Sequence, residues 1–255
     1  MISISEAQIT AWLSPLIWPF LRTLALFTSA PIFSSKAVPA RAKIALAFFV
    51  ALAAQPSLEG QAVISINDPA AFGAVLQQVG IGLAIGFTIR VVLAAVELAG
   101  EVVGFQMGLS FASFFDPTIG GQASAVARFF GQMALFMFVV MGGHLMVLMT
   151  VIQSFVAFPV DQNFLQALPQ MKIYSLGTDL FSAGLWMSLP MVGMLMFANL
   201  ALGIVSRVAP QMNIYAIGFP ITLTVGLVGM AVTLPMLDQP FLALMGRAMD
   251  IFAPR

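Results

Sequence analysis

Apolar positions along the chain gather into six long blocks, near residues 7–30, 44–58, 72–100, 129–155, 180–206 and 218–237, separated by short polar stretches. A helix that crosses a bilayer needs about 20 mostly apolar residues, so the pattern predicts an all-α, polytopic membrane protein built from about six long, kinked helices. The fifth block, Leu180 to Ser206, holds no charge, and after Arg207 none follows until Asp238. The second block is short, and Arg22 and Arg90 fall inside the first and third. An arginine at the bilayer centre costs about 3 kcal/mol even on a lenient scale, so these helices are not all expected to cross lipid simply. The fourth and fifth exceed a hydrocarbon core of about 30 Å, which implies tilt, protrusion or burial within a larger assembly.

Composition sharpens this picture. Of 255 residues, 60% are hydrophobic and 8% charged, against about 25% charged in a soluble domain. Ten acids and ten bases are too few to cover the surface with polar groups, so lipid or an apolar partner must replace water. Zero net charge removes the case for nucleic acid, whose phosphates require clustered cations. With no cysteine there is no disulfide, thiolate metal site or Cys nucleophile. The N-terminus carries Glu6 and breaks its apolar run at Pro15 and Pro19, unlike a cleavable signal peptide.

Loop charges predict orientation. If six crossings alternate, Lys36, Arg41, Lys43, Arg128 and Arg207 share one side, which the positive-inside rule makes cytoplasmic. The opposite side takes the N-terminus, Glu59, Asp68, Asp161, Lys172, Asp179 and the C-terminal tail. The longest polar connection, 158–179, marks a seam and divides the chain into 1–175 and 176–255.

Few residues offer chemistry. His144 is the only histidine, and no nucleophile signature or P-loop accompanies it, so no enzyme, cofactor or metal site is expected. It reads as a histidine packed and hydrogen-bonded between helices, with a proton relay as the alternative. Glu97 and Glu101 stand one helical turn apart and repel. Either a cation or basic subunit meets them, or they mark a helix end in water; Arg90, two turns earlier, is too far for direct pairing. Gly82 and Gly86, then Gly100, Gly104 and Gly108, recur every four residues, the small-residue device of close helix packing. In "GLSFASFFDPTIGGQ", 108–122, Asp116-Pro117 and Gly120-Gly121 break helix while Phe111, Phe114 and Phe115 crowd together. Such a loop either lines a cavity as a hydrophobic stopper or fills a core. Met187, Met191 and Met194 form a stripe suited to core or lipid.

The stretch "RVAPQMNIYAIGFP" places Arg207, Pro210, Gln211, Asn213, Gly218 and Pro220 between two apolar blocks, a stiff elbow in which Gln211 and Asn213 can satisfy helix ends. This Arg-x-x-Pro-Gln-x-Asn-x-x-x-x-Gly-Phe-Pro pattern resembles the signature of the FliR family, flagellar membrane proteins of the type III export apparatus. So do Ala30–Pro31, "VPARAKIAL" at 38–46, "GFQMGLSFASFFDP" at 104–117 and "GGHLMVL…QSFVAFP" at 142–159, and together they span nearly the whole chain. Thr222 stands where many members carry a lysine. The resemblance implies a subunit of a cone-shaped export gate in the bacterial inner membrane and flagellar basal body, assembled with FliP and FliQ. It implies that 1–175 is FliP-like and 176–255 a FliQ-like hairpin, with FlhB at the cytoplasmic entrance beside the elbow and FlhA nearby. It also implies unfolded flagellar subunits as cargo and a pore plug formed by Phe111, Phe114, Phe115, Asp116 and Pro117. Subunit packing would then enclose Arg22 and Arg90, with Glu97 and Glu101 at buried or contact positions. A secondary transporter of small solutes, a structural scaffold and a virulence injectisome subunit are the competing readings.

Overall fold

The computed structural model describes residues 6–36, 38–58, 64–109, 123–161, 169, 171–211 and 213–254, and every regular element among them is helical. In chain order these are α1 (Glu6–Ser29), α2 (Ala40–Ala53), α3 (Ala71–Gln106), α4 (Ala125–Val140), α5 (Gly143–Ala157), α6 (Ser175–Val208), α7 (Ile214–Thr233) and α8 (Asp238–Met249). Short 3-10 turns lie at Gln55–Leu58, Leu234–Met236 and Asp250–Phe252. The helical membrane fold predicted from the apolar blocks is the fold observed. Among the described residues, α3, α6 and the run Ala216–Phe252 are long and apolar enough to cross a membrane, and α4 with α5 supplies a fourth span if counted together.

Two predicted elements need correction. The 129–155 block is broken, because α4 stops at Val140 and α5 begins at Gly143, with Gly142 between them at φ 74°. Glycine enters this left-handed region without the Cβ clash that other residues suffer. The stretch after 237, read as a tail, forms α8, with Asp238 in its first turn where the helix dipole favours an acid.

Helix starts and breaks follow local chemistry. Pro39, at φ −64° and ψ 145°, sets the extended entry to α2. Pro15 and Pro19 lie inside α1. Pro19 has no N–H, so the Pro15 carbonyl loses its helical donor, and the Gln55 amide replaces it at 3.0 Å.

The chain forms two compact units. The first comprises Met1–Val91, Gly142–Gly177 and Met245–Arg255; Trp18, Leu26, Phe27, Ile81, Ile85, Val151, Phe155 and Phe252 are buried in its core. The second comprises Val92–Met141 and Thr178–Leu244, around buried Val96, Val103, Met107, Phe130, Phe138, Met187, Met191 and Phe241. One junction between the units, 177/178, falls inside the 158–179 connection. The partition into 1–175 and 176–255 concerns likeness to two other proteins, which these units do not bear on. Much of α6 stays uncovered, with Phe181, Trp186, Phe197 and Ile204 exposed. Apolar surface of this extent needs lipid or protein against it.

Candidate functional site

The first unit is organised around a buried guanidinium. Arg22, in α1, is 0% exposed. Its Nε donates to Gln78 Oε1 at 2.8 Å, one terminal nitrogen to Ser154 Oγ at 2.8 Å and the other to the Phe158 carbonyl at 2.9 Å. The guanidinium carbon sits 3.8 Å from the centroid of the Phe155 ring. Every named partner is neutral, so among the described contacts oriented dipoles and a π face stabilise the charge. The network continues: Gln78 Nε2 donates to Gln77 Oε1, which also accepts from the Asp161 amide, while Gln77 Nε2 donates to the Pro159 carbonyl. One arginine thereby ties α1, α3 and the exit of α5 into one polar node. The Gln77-Gln78 pair was missed from sequence; two adjacent amides inside an apolar block were the available signal.

Of the four charges expected at buried or contact positions, the chain itself fully buries only Arg22; Arg90 and Glu97 are exposed and Glu101 is half-buried. Arg90 donates to the carbonyl of Ser29, the last residue of α1, at 3.1 Å, a cation at the negative end of a helix. Glu97 lies beside Gly131, whose added Cβ would meet its carboxyl carbon at 3.9 Å. Glu101 accepts from the Ser124 amide at 3.1 Å, and Ser124 Oγ caps α4 by accepting from the Ala127 amide at 3.1 Å.

The glycines divide by role. A Cβ on Gly82 would strike the Arg22 carbonyl and sit 2.8 Å from Ala25 Cβ; one on Gly86 would strike Ser29 Oγ. On Gly100 it would meet Ala127 Cα at 2.9 Å, and on Gly104 Ser124 Oγ at 2.8 Å. Gly108 stands at the end of the helix. At φ 80° it ends α3, with its amide bonded to the Phe105 carbonyl and that of Leu109 to the Gly104 carbonyl, both at 3.1 Å. These paired bonds are the Schellman ending, in which glycine relieves the left-handed residue.

The candidate plug residues Phe111, Phe114, Phe115, Asp116 and Pro117 lie outside the described residues; their flanks do not. The α3 ending and the α4 cap are joined by Glu101 and pressed together at Gly104 and Ser124. Met107 is held on α7 as well: Thr222 Oγ1 lies 3.3 Å from the Met107 carbonyl, and a Cβ on Gly226 would fall 2.6 Å from Met107 Cγ. The position that departs from the family's lysine thus carries an internal hydrogen bond.

At the elbow, α6 ends at Val208 with Arg207 in its last turn. Asn213 caps α7, its Oδ1 accepting from the Ala216 amide at 3.3 Å. Arg207, Pro210, Gln211 and Asn213 are exposed, and Pro220 sits inside α7. His144, expected to be hydrogen-bonded, is corrected: its Nδ1 is buried without a partner among the described residues.

The family model for bacterial export proteins, family 1, matches residues 13–248. The chain belongs to the FliR family of bacterial export proteins. A flagellar biosynthetic protein FliR from Escherichia coli strain K12 is 40% identical over 241 residues, covering 94% of this chain and 92% of the relative. That of Pectobacterium carotovorum is 36% identical over 253 residues, 99% of this chain and 97% of the relative. The FliR of Bacillus subtilis strain 168 is 31% identical over 212 residues, 82% of each chain. As a FliR-family member with apolar helices of spanning length, the chain is a membrane-embedded component of the flagellar export apparatus.

Proposed function

We propose that this chain is a core subunit of the flagellar export gate in the bacterial inner membrane. With FliP and FliQ it forms the channel that passes unfolded flagellar subunits, and the aromatic segment 108–122 closes that channel at rest. The likeness of 1–175 to FliP and of 176–255 to FliQ, the elbow from Arg207 to Pro220 at the cytoplasmic entrance beside FlhB, and FlhA nearby belong to the same reading. The chain moves cargo and makes no bonds. The observation that carries the plug role is the clamped base of the segment, where Glu101 bonds the Ser124 amide at 3.1 Å and Gly108 ends α3 in a left-handed turn. A stopper works by steric bulk and dewetting, so it needs stems that hold it in register, and this base supplies them. Exposed Arg90 and Glu97, with the uncovered apolar face of α6, are the surface that neighbouring subunits would bury. Replacing Gly108–Gln122 with a short Gly-Ser linker is expected to raise the resting ion conductance of the cell membrane; an unchanged conductance overturns the plug assignment.

A further inference from the structure

Within the second unit, an open cavity of about 490 Å³ is lined by Met107 and Leu109 after α3, by Ala125, Val126 and Phe129 of α4, by Leu223, Leu227, Met230 and Ala231 of α7, and by Leu234 just after it. Every lining side chain named is apolar. The volume is that of a small-molecule pocket, but such pockets normally add a few polar groups that orient a ligand, and none of these side chains offers one. Its occupant is therefore recognised by apolar volume alone. Exposed Phe129 of α4 and Leu227 of α7 form a greasy rim, and α7 belongs to a run of membrane-spanning length.

A cation lies on the same stretch of α4 as three of the lining residues. Arg128 lies between Val126 and Phe129, is exposed, and among the described residues makes no hydrogen bond or ion pair. At a helical 100° per residue it projects about 60° from Ala125, about 100° from Phe129 and about 160° from Val126, on the Ala125 side of the lining stripe. It also occupies the first turns of α4, the positive end of the helix, where a cation is unfavourable and an anion is welcome. Glu101 is committed to the Ser124 amide.

We propose that this pocket takes one acyl chain of an anionic phospholipid, with the lipid phosphate against Arg128. Apolar volume and an exposed cation with no partner among the described residues, within one turn of each other, supply both halves of that recognition; a zwitterionic lipid would gain the first and little of the second.

The test uses the full chain, purified from membranes, with phosphatidylglycerol or phosphatidylcholine bearing a photoreactive diazirine near the acyl terminus. Saturable labelling of the α7 peptide containing Leu227 and Met230 is expected, about five-fold stronger with phosphatidylglycerol. Arg128→Gln should erase that preference while leaving the phosphatidylcholine level unchanged. Ala231→Trp and, from the opposite wall, Ala125→Leu fill the pocket at exposed positions and should suppress labelling by both lipids. Equal labelling by the two lipids in the unaltered chain, or labelling indifferent to both filling variants, overturns the proposal. So does labelling that emerges only after 110–122 is replaced by a Gly-Ser linker, which would assign the pocket to the chain's own segment.

Discussion

At the scale of single residues, the buried charge is the most informative feature. Arg22 presents a planar fork to three acceptors on different parts of the first unit. Methionine has comparable length and no donor, so Arg22→Met leaves the Gln78 oxygen, Ser154 and the Phe158 carbonyl short of hydrogen bonds in a dry setting. A loss of about 3 kcal/mol is expected, read as a lower thermal unfolding midpoint of the purified protein. Arg22→Lys should not restore it, because a point ammonium cannot reproduce the fork or the stacking on Phe155. Gly82 is the backbone counterpart: Gly82→Val forces a branched side chain onto the Arg22 carbonyl and Ala25. Overpacking of this kind costs about 1–3 kcal/mol; an unchanged unfolding midpoint would show that the two helices can separate freely. Sequence analysis singled out Arg22 and Gly82 separately, as a charge amid apolar residues and a member of a four-residue repeat. Their apposition across α1 and α3 could not be read from either pattern, because helical periodicity fixes which residues share a face and not which faces meet.

At the scale of elements, ends and breaks decide more than lengths do. Gly142 separates α4 from α5 at φ 74°, and a Cβ there would meet nothing within 4 Å. The cost of Gly142→Ala is thus purely conformational, about 1–2 kcal/mol, whereas Gly142→Asn should cost less because asparagine tolerates the left-handed region. Comparing the unfolding midpoints of the two variants separates backbone strain from packing. At the start of α4, Glu101→Gln keeps a side-chain oxygen for the Ser124 amide while Glu101→Ala removes it. Faster hydrogen exchange in the first turn of α4 is expected for alanine alone, at a cost of about 1 kcal/mol. The Gly-Gly pair at 142–143 was visible in sequence but read as part of one helix, since the apolar run continues through it and hydrophobicity does not report φ. The Asn213 cap was anticipated, because a polar residue just before an apolar block has few other uses.

At the scale of the whole molecule, the chain exposes more apolar surface than a protein in water would keep. Exposed Phe181, Trp186, Phe197, Leu200 and Ile204 along α6 call for a cover of lipid, neighbouring subunits or both. On the gate reading, gentle detergent extraction should recover the chain in a defined hetero-oligomer with FliP and FliQ. A chain that elutes alone and remains folded would favour a self-sufficient transporter. Flagellar membership itself rests on relatives aligned over nearly the full length, as the elbow motif and the 104–117 stretch implied. The plug assignment rests on the resemblance and on the clamped flanks of its segment.

Amino-acid order by itself determined the solvent this protein is made for, the helical class, the approximate extent of the long helices and the family. Each depends on composition, local propensity or motif wording, which are properties of neighbours along the chain. Only the tertiary structure decided that the described partners of Arg22 are neutral dipoles, that Gly108 ends a helix in a left-handed turn, and that Glu101 bonds the amide of the residue that caps α4. It also decided that Thr222 reaches the Met107 carbonyl. Those outcomes are distances between residues far apart in order, set by how the helices pack, and a linear pattern holds no record of that packing.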